Sequence, residues 1–110
     1  MEDLDQFFET LAAKASRISE LQQQFKHDSE EIKEVSNELV NAVDSLPPND
    51  SLTKIQRSML LYYKGKGLSS LDTYDKRAED NLSKCLKLSP KHLESWICLG
   101  EVFYQKRDFV

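Results

Sequence analysis

The chain has few of the residues that interrupt helices and few that cross-link small folds. It carries three glycines and three prolines in 110 residues, and period-2 runs of valine, isoleucine and threonine are absent, which points away from a sheet. Cys85 and Cys98 are the only cysteines. Each sits among apolar residues on an expected helix, so both read as reduced core thiols rather than a disulfide framework. Long apolar runs are missing too. The longest, MLLYY at Met59–Tyr63, falls far short of the ~20 residues that span a bilayer. No excess of positive charge exists: the formal net charge is −4 and the pI about 5.2, with both signs interspersed. That balance disfavours a platform for nucleic acid or membrane and leaves protein as the expected partner. The opening MEDLDQFF is acidic where a targeting peptide is basic, giving an expected location in cytoplasm and nucleus.

What remains is helical periodicity. Leu4, Leu11, Ile18, Phe25, Ile32, Leu39 and Leu46 fall seven apart, and Phe7, Leu21, Val35 and Ala42 fill most of a second seam. Residues 1–46 are therefore expected to form an amphipathic helix or helix pair. Lys14 and Asp28 interrupt the second seam, and Asp28 with Glu31 three residues on can cap a new helix, so a break is expected near His27–Ser29. A hairpin covers its own apolar face, whereas a continuous rod needs a partner and would make the segment an intermolecular coiled coil.

Pro47 and Pro48 mark a linker over 47–51, because proline removes a donor and keeps the residue before it out of helical geometry. Asn49, Asp50 or Ser51 can cap the following helix, expected over about 52–68. Within it Gly65 and Gly67 weaken the helix, and close approach of a neighbouring backbone is the expected reason. SSLDTYD reads as a connection in which Asp72 or Thr73 caps a helix over about 74–87.

Trp96, Leu99, Gly100 and Phe103 make the spacing W-x2-L-G-x2-F, and Ala78, Leu82 and Pro90 fall at matching offsets one period of about 34 residues earlier. Together with the KGK of Lys64–Lys66, this pattern resembles the tetratricopeptide repeat family. It implies an all-α fold of antiparallel helix hairpins, with a first repeat over 52–90 and the first helix of a second over 91–110. The chain is then expected to end inside that repeat, and to be marginally stable alone. In the first repeat Lys66 takes the glycine position with Gly65 and Gly67 to either side, so its first turn is expected to be lengthened or shifted by one residue.

The resemblance is to the stress-responsive, p300-associated type within the family. It implies a non-enzymatic adaptor of the stress and DNA-damage response, a transcription cofactor. Its implied partners are a p300-type coactivator and nascent tubulin at the ribosome. The repeat register puts Glu94, Ile97, Glu101 and Tyr104 on a peptide groove, with Gln105 at its edge. Glu94 and Glu101 repel a carboxylate, so a basic or apolar peptide is the expected ligand. Ala78, Leu82, Pro90, Trp96, Leu99, Gly100 and Phe103 are the expected packing residues. Without a covering helix, Trp96 and Phe103 would form an exposed apolar patch, open to self-association. A homodimer is thus conceivable through the N-terminal heptad or through this end. YYKGKG lacks the spacing of a phosphate loop. Cys85, His92 and Cys98 match no zinc pattern, and no catalytic set, metal or cofactor is expected.

Overall fold

The computed structural model describes residues 4–25, 30–46, 51–71 and 73–108. Among them are five α-helices and no strand: α1 (Leu4–Phe25), α2 (Glu30–Asp44), α3 (Lys54–Ser69), α4 (Lys76–Leu88) and α5 (Leu93–Asp108). The expected break at His27–Ser29, the Pro47–Pro48 linker and the Asp72 cap lie outside the described residues.

The heptad segment is two helices, not a rod. Lys14 pairs with Glu38 at 3.3 Å and Arg17 with Glu31 at 2.8 Å, so residue numbers rise along α1 as they fall along α2, as a hairpin requires. The seam closes on itself: Leu11, Ile18, Leu21, Ile32 and Leu39 are fully buried. An intermolecular coiled coil through this heptad is thereby corrected, because the apolar face it would use is already covered within the chain.

The remaining helices continue the alternation. Lys64 reaches Asp44 at 2.8 Å between α3 and α2, and the Ser89 hydroxyl donates to Ser58 at 3.1 Å between α4 and α3. Lys106 meets Glu79 at 3.2 Å between α5 and α4. Exposed pairs of this kind contribute about 0–1 kcal/mol each; the driving term is burial. One cluster runs through all five helices, from Phe7, Leu11 and Ile18 of α1 through Leu39, Tyr63, Leu68, Leu82 and Cys85 to Leu99 and Val102 of α5.

Two glycines set the helix spacing, as their sequence position implied. A Cβ on Gly65 would lie 2.5 Å from Leu82 Cγ, and one on Gly67 would lie 2.7 Å from Val40 Cγ2 and 3.1 Å from the Ser36 carbonyl oxygen. Gly65 thus admits α4 and Gly67 admits α2. Gly65, one residue before Lys66, holds the notch that Leu82 fills.

Helix starts differ from expectation. Thr53 caps α3 in a capping box: its hydroxyl accepts from the Gln56 amide at 3.0 Å, and the Gln56 side-chain oxygen accepts from the Thr53 amide at 2.9 Å. This displaces Asn49, Asp50 and Ser51 from the role. Asp75 caps α4, accepting from the Arg77 amide at 2.8 Å, in place of Asp72 or Thr73. At the far end, Ser89 closes α4 through its amide on the Cys85 carbonyl at 2.8 Å, immediately before Pro90.

Candidate functional site

Helices α1, α3 and α5 lie side by side and run the same way. Lys66 Nζ donates to Gln22 Oε1 at 3.4 Å from α3 to α1. Gln105 Nε2 donates to the carbonyls of Ser69 and Leu71 at 2.9 and 3.2 Å, from α5 to the end of α3. That last contact ties down orphan carbonyls of a helix terminus, a role the sequence did not disclose for Gln105.

Between these three helices run two adjoining hollows of about 440 and 390 Å³. They share Ser19, Tyr62 and Glu94 and so form one groove. The first hollow is bounded by Ala12, Ala15, Met59 and His92, the second by Gln22, Lys66, Ile97, Cys98 and Glu101. Three of the four groove residues named from the sequence, Glu94, Ile97 and Glu101, come together on its α5 wall. Tyr104 does not line either hollow; it lies one helical turn beyond and is 69% exposed.

The small residues of α1 (Ala12, Ala15, Ser16, Ser19) keep the groove open, and Tyr62 supplies its floor. Tyr62 packs edge-on to His92 at 4.7 Å between ring centres, and burial holds its phenol well above the ordinary range, so it stays a neutral donor at any physiological pH. The Cys98 thiol is pushed up to about 11 by burial, and burial raises Cys85 as well; neither is a reactive thiolate near neutrality. Among the described residues the walls carry Glu20, Glu94 and Glu101 against one buried lysine, Lys66, which is 8% exposed. The groove is therefore net acidic with an apolar and aromatic floor.

Around His92 the geometry is structural. His92 Nδ1 accepts from the Ser95 amide at 3.3 Å and lies 2.7 Å from the Ser95 hydroxyl, capping the start of α5. Ser95 in turn lies 3.2 Å from Cys85 Sγ. Ser95 is fully buried, so this chain of polar atoms presents no nucleophile. Among the described residues no group of three or more His, Cys, Asp or Glu side chains is placed to hold a metal, and no helix is long and apolar enough to cross a membrane.

The expected packing residues divide into two groups. Ala78 and Leu82 are fully buried and Leu99 is 7% exposed. Trp96 and Phe103 are 53% and 51% exposed, and a Cβ on Gly100 would meet nothing within 4 Å. Pro90 is exposed, and its carbonyl accepts from the Trp96 indole N–H at 2.8 Å. Among the described residues the face defined by Trp96, Gly100 and Phe103 is thus exposed rather than packed.

Successive antiparallel helices whose alternate members share one concave face define an all-α scaffold of tetratricopeptide-repeat type, an architecture for protein contacts. The chain is 34% identical over 79 residues to tetratricopeptide repeat protein 5 of Bos taurus, covering 72% of this chain and 16% of that protein. It is 40% identical over 52 residues to tetratricopeptide repeat protein 5 of Homo sapiens (47% and 12%) and 46% over 48 residues to that of Mus musculus (44% and 11%). The chain is related to that protein over part of its own length, and it spans about one sixth or less of these curated relatives. No protein-family model and no solved structure matches it.

Proposed function

We propose that the chain is a protein-interaction adaptor whose α1–α3–α5 groove binds a basic or apolar peptide segment of a partner protein. The observation that carries this reading is the groove itself. Glu94 and Glu101 line its α5 wall, Glu20 lies on α1, and Ile97 and Tyr62 offer apolar surface between them. Such a surface attracts lysine and arginine side chains and buries their aliphatic stems. A p300-type coactivator and nascent tubulin emerging from the ribosome, both implied by the resemblance, are the proposed partners, and cytoplasm and nucleus the proposed locations. No reaction is assigned to the chain.

Fluorescence polarisation with labelled ten-residue peptides of basic-apolar and of acidic composition tests this. Basic-apolar peptides are expected to bind and acidic ones not. Glu94→Lys with Glu101→Lys should weaken binding by about tenfold, as losing two partly exposed ion pairs implies. Equal affinity for both peptide classes, or affinity unchanged in the double variant, removes the proposal.

A further inference from the structure

The two hollows of the groove differ in charge. The walls of the first carry Glu20 and Glu94 and, among the described residues, no lysine or arginine. The second has Glu94 and Glu101 on its α5 wall and Lys66 on its α3 wall. Lys66 is 8% exposed, so nearly all of its side chain is covered by protein. An ammonium has three N–H groups to give. Lys66 Nζ uses one of them, on Gln22 Oε1 at 3.4 Å, which is long for such a bond. None of the ion pairs among the described residues includes it. Burial raises the Cys98 thiol most, while Lys66 lowers it and Glu101 raises it. Both charges therefore lie close to one atom of a residue lining the same hollow.

A side-chain tip entering the second hollow meets donors on one side and acceptors on the other. A lysine or arginine head satisfies Glu94 and Glu101 but confronts Lys66. A carboxylate satisfies Lys66 but confronts the two glutamates. An apolar tip displaces water from Lys66 and returns no hydrogen bond, which is costly for a charged group. A carboxamide avoids all of these penalties, because it has a carbonyl to accept, an NH2 to donate and no net charge. Its stem would lie on Ile97 and Tyr62, which line the same hollow.

We propose that the second hollow is a subsite for the side-chain carboxamide of a glutamine or asparagine in the bound peptide. The carbonyl accepts from Lys66 Nζ and the NH2 donates to the Glu101 carboxylate. This rests on the reading of the groove as a peptide site and refines it. The basic side chain goes to the first hollow, where Glu20 and Glu94 face no lysine or arginine among the described residues, and the amide goes to the second.

Fluorescence polarisation of the full chain with labelled ten-residue peptides tests this. The peptides are built of lysine and leucine except at one central position, which is glutamine, methionine, glutamate or lysine. The glutamine peptide is expected to bind about tenfold tighter than the methionine one, the size of one hydrogen bond to a charged group, and tighter than the other two. Lys66→Met should bring the glutamine and methionine peptides to equal affinity. Glu101→Ala, at an exposed position, should narrow the same gap; circular dichroism checks the fold of both variants. Equal affinity of the glutamine and methionine peptides for the parent chain overturns the subsite and leaves the groove reading in place. Tightest binding by the glutamate or the lysine peptide does the same. So does a preference for glutamine that survives unchanged in Lys66→Met or, should that variant not fold, in Glu101→Ala. If none of the peptides binds, the groove reading itself fails and the subsite falls with it.

Discussion

Gly65, Gly67 and Gly100 sit in helices alike, yet their surroundings assign them opposite tolerances. Alanine is favoured over glycine in a helix by about 1 kcal/mol, so the sign of each Gly→Ala change depends on what the added methyl meets. At Gly67 it meets the Ser36 carbonyl, backbone that moves only with all of α2, and Val40 at 2.7 Å. Gly67→Ala should therefore destabilise the fold by about 1–3 kcal/mol through overpacking. Gly100→Ala, where the added methyl meets nothing within 4 Å, should stabilise it by up to about 1 kcal/mol. Urea denaturation of the two variants reads both; a stabilised Gly67→Ala would show that α2 and α3 are not held at this distance. The sequence made close packing the reason for Gly65 and Gly67, since a helix rarely keeps two glycines two residues apart without one. It did not disclose which neighbour each admits, because that is decided by helices distant in the chain. Gln105 was obscure for the same cause: its partners, the Ser69 and Leu71 carbonyls, lie more than thirty residues earlier.

At the scale of elements, the caps show where local signals suffice and where they fail. The Thr53–Gln56 box stands in the chain as T-x-x-Q, a legible start signal that competes with the capping types Asn49, Asp50 and Ser51 nearer the prolines. Asp75 is less legible, since three residues of capping type, Asp72, Thr73 and Asp75, precede α4 within four positions. The choice is made by tertiary contact: Tyr74 is half-buried, its hydroxyl 3.5 Å from Glu79 and the Lys106 ammonium 5.7 Å from its ring centre. Asp75 itself is extended, with φ −128° and ψ 119°, as an N-cap requires. Arg77 then grips Asp75 through its guanidinium at 2.8 and 3.2 Å. These side-chain hydrogen bonds, then the amide and the guanidinium charge, hold the Asp75 carboxyl below its ordinary 3.8 despite some burial. A depressed carboxylate stabilises the fold above its unfolded pKa and loses that contribution as pH falls through the folded value. Asp75→Ala should thus cost about 1 kcal/mol near neutrality. The difference from the parent should be constant above about pH 5 and shrink only below the normal carboxylate range. Thermal melts of the pair from pH 7 to acid test it; a gap that closes already at pH 6 would mean that some other group sets it.

Over the whole molecule, the heptad told that residues 4–46 own a long apolar face but left open what covers it, because period alone does not distinguish a hairpin from a rod. What decides is burial, since in the hairpin Leu11, Ile18, Leu21, Ile32 and Leu39 are all fully covered, with the Lys14–Glu38 and Arg17–Glu31 pairs marking the register. Once the hairpin forms, its seam joins the same core as α3, α4 and α5. That continuity sets how the chain unfolds. If the apolar cluster is one body, removing part of it in α1 must be felt at α5. Leu11 is fully buried in α1, and Leu11→Ala should cost about 2–5 kcal/mol. The sole tryptophan, Trp96, reports from the start of α5, whereas far-ultraviolet circular dichroism reports from all five helices. Both probes should give one coincident transition in the parent chain and shift together in the variant, as two-state unfolding requires. A variant whose dichroism falls early while Trp96 fluorescence keeps its original midpoint would divide the molecule into an α1–α2 hairpin and an independent α3–α5 unit. The groove between them would then be a hinge rather than a rigid cleft.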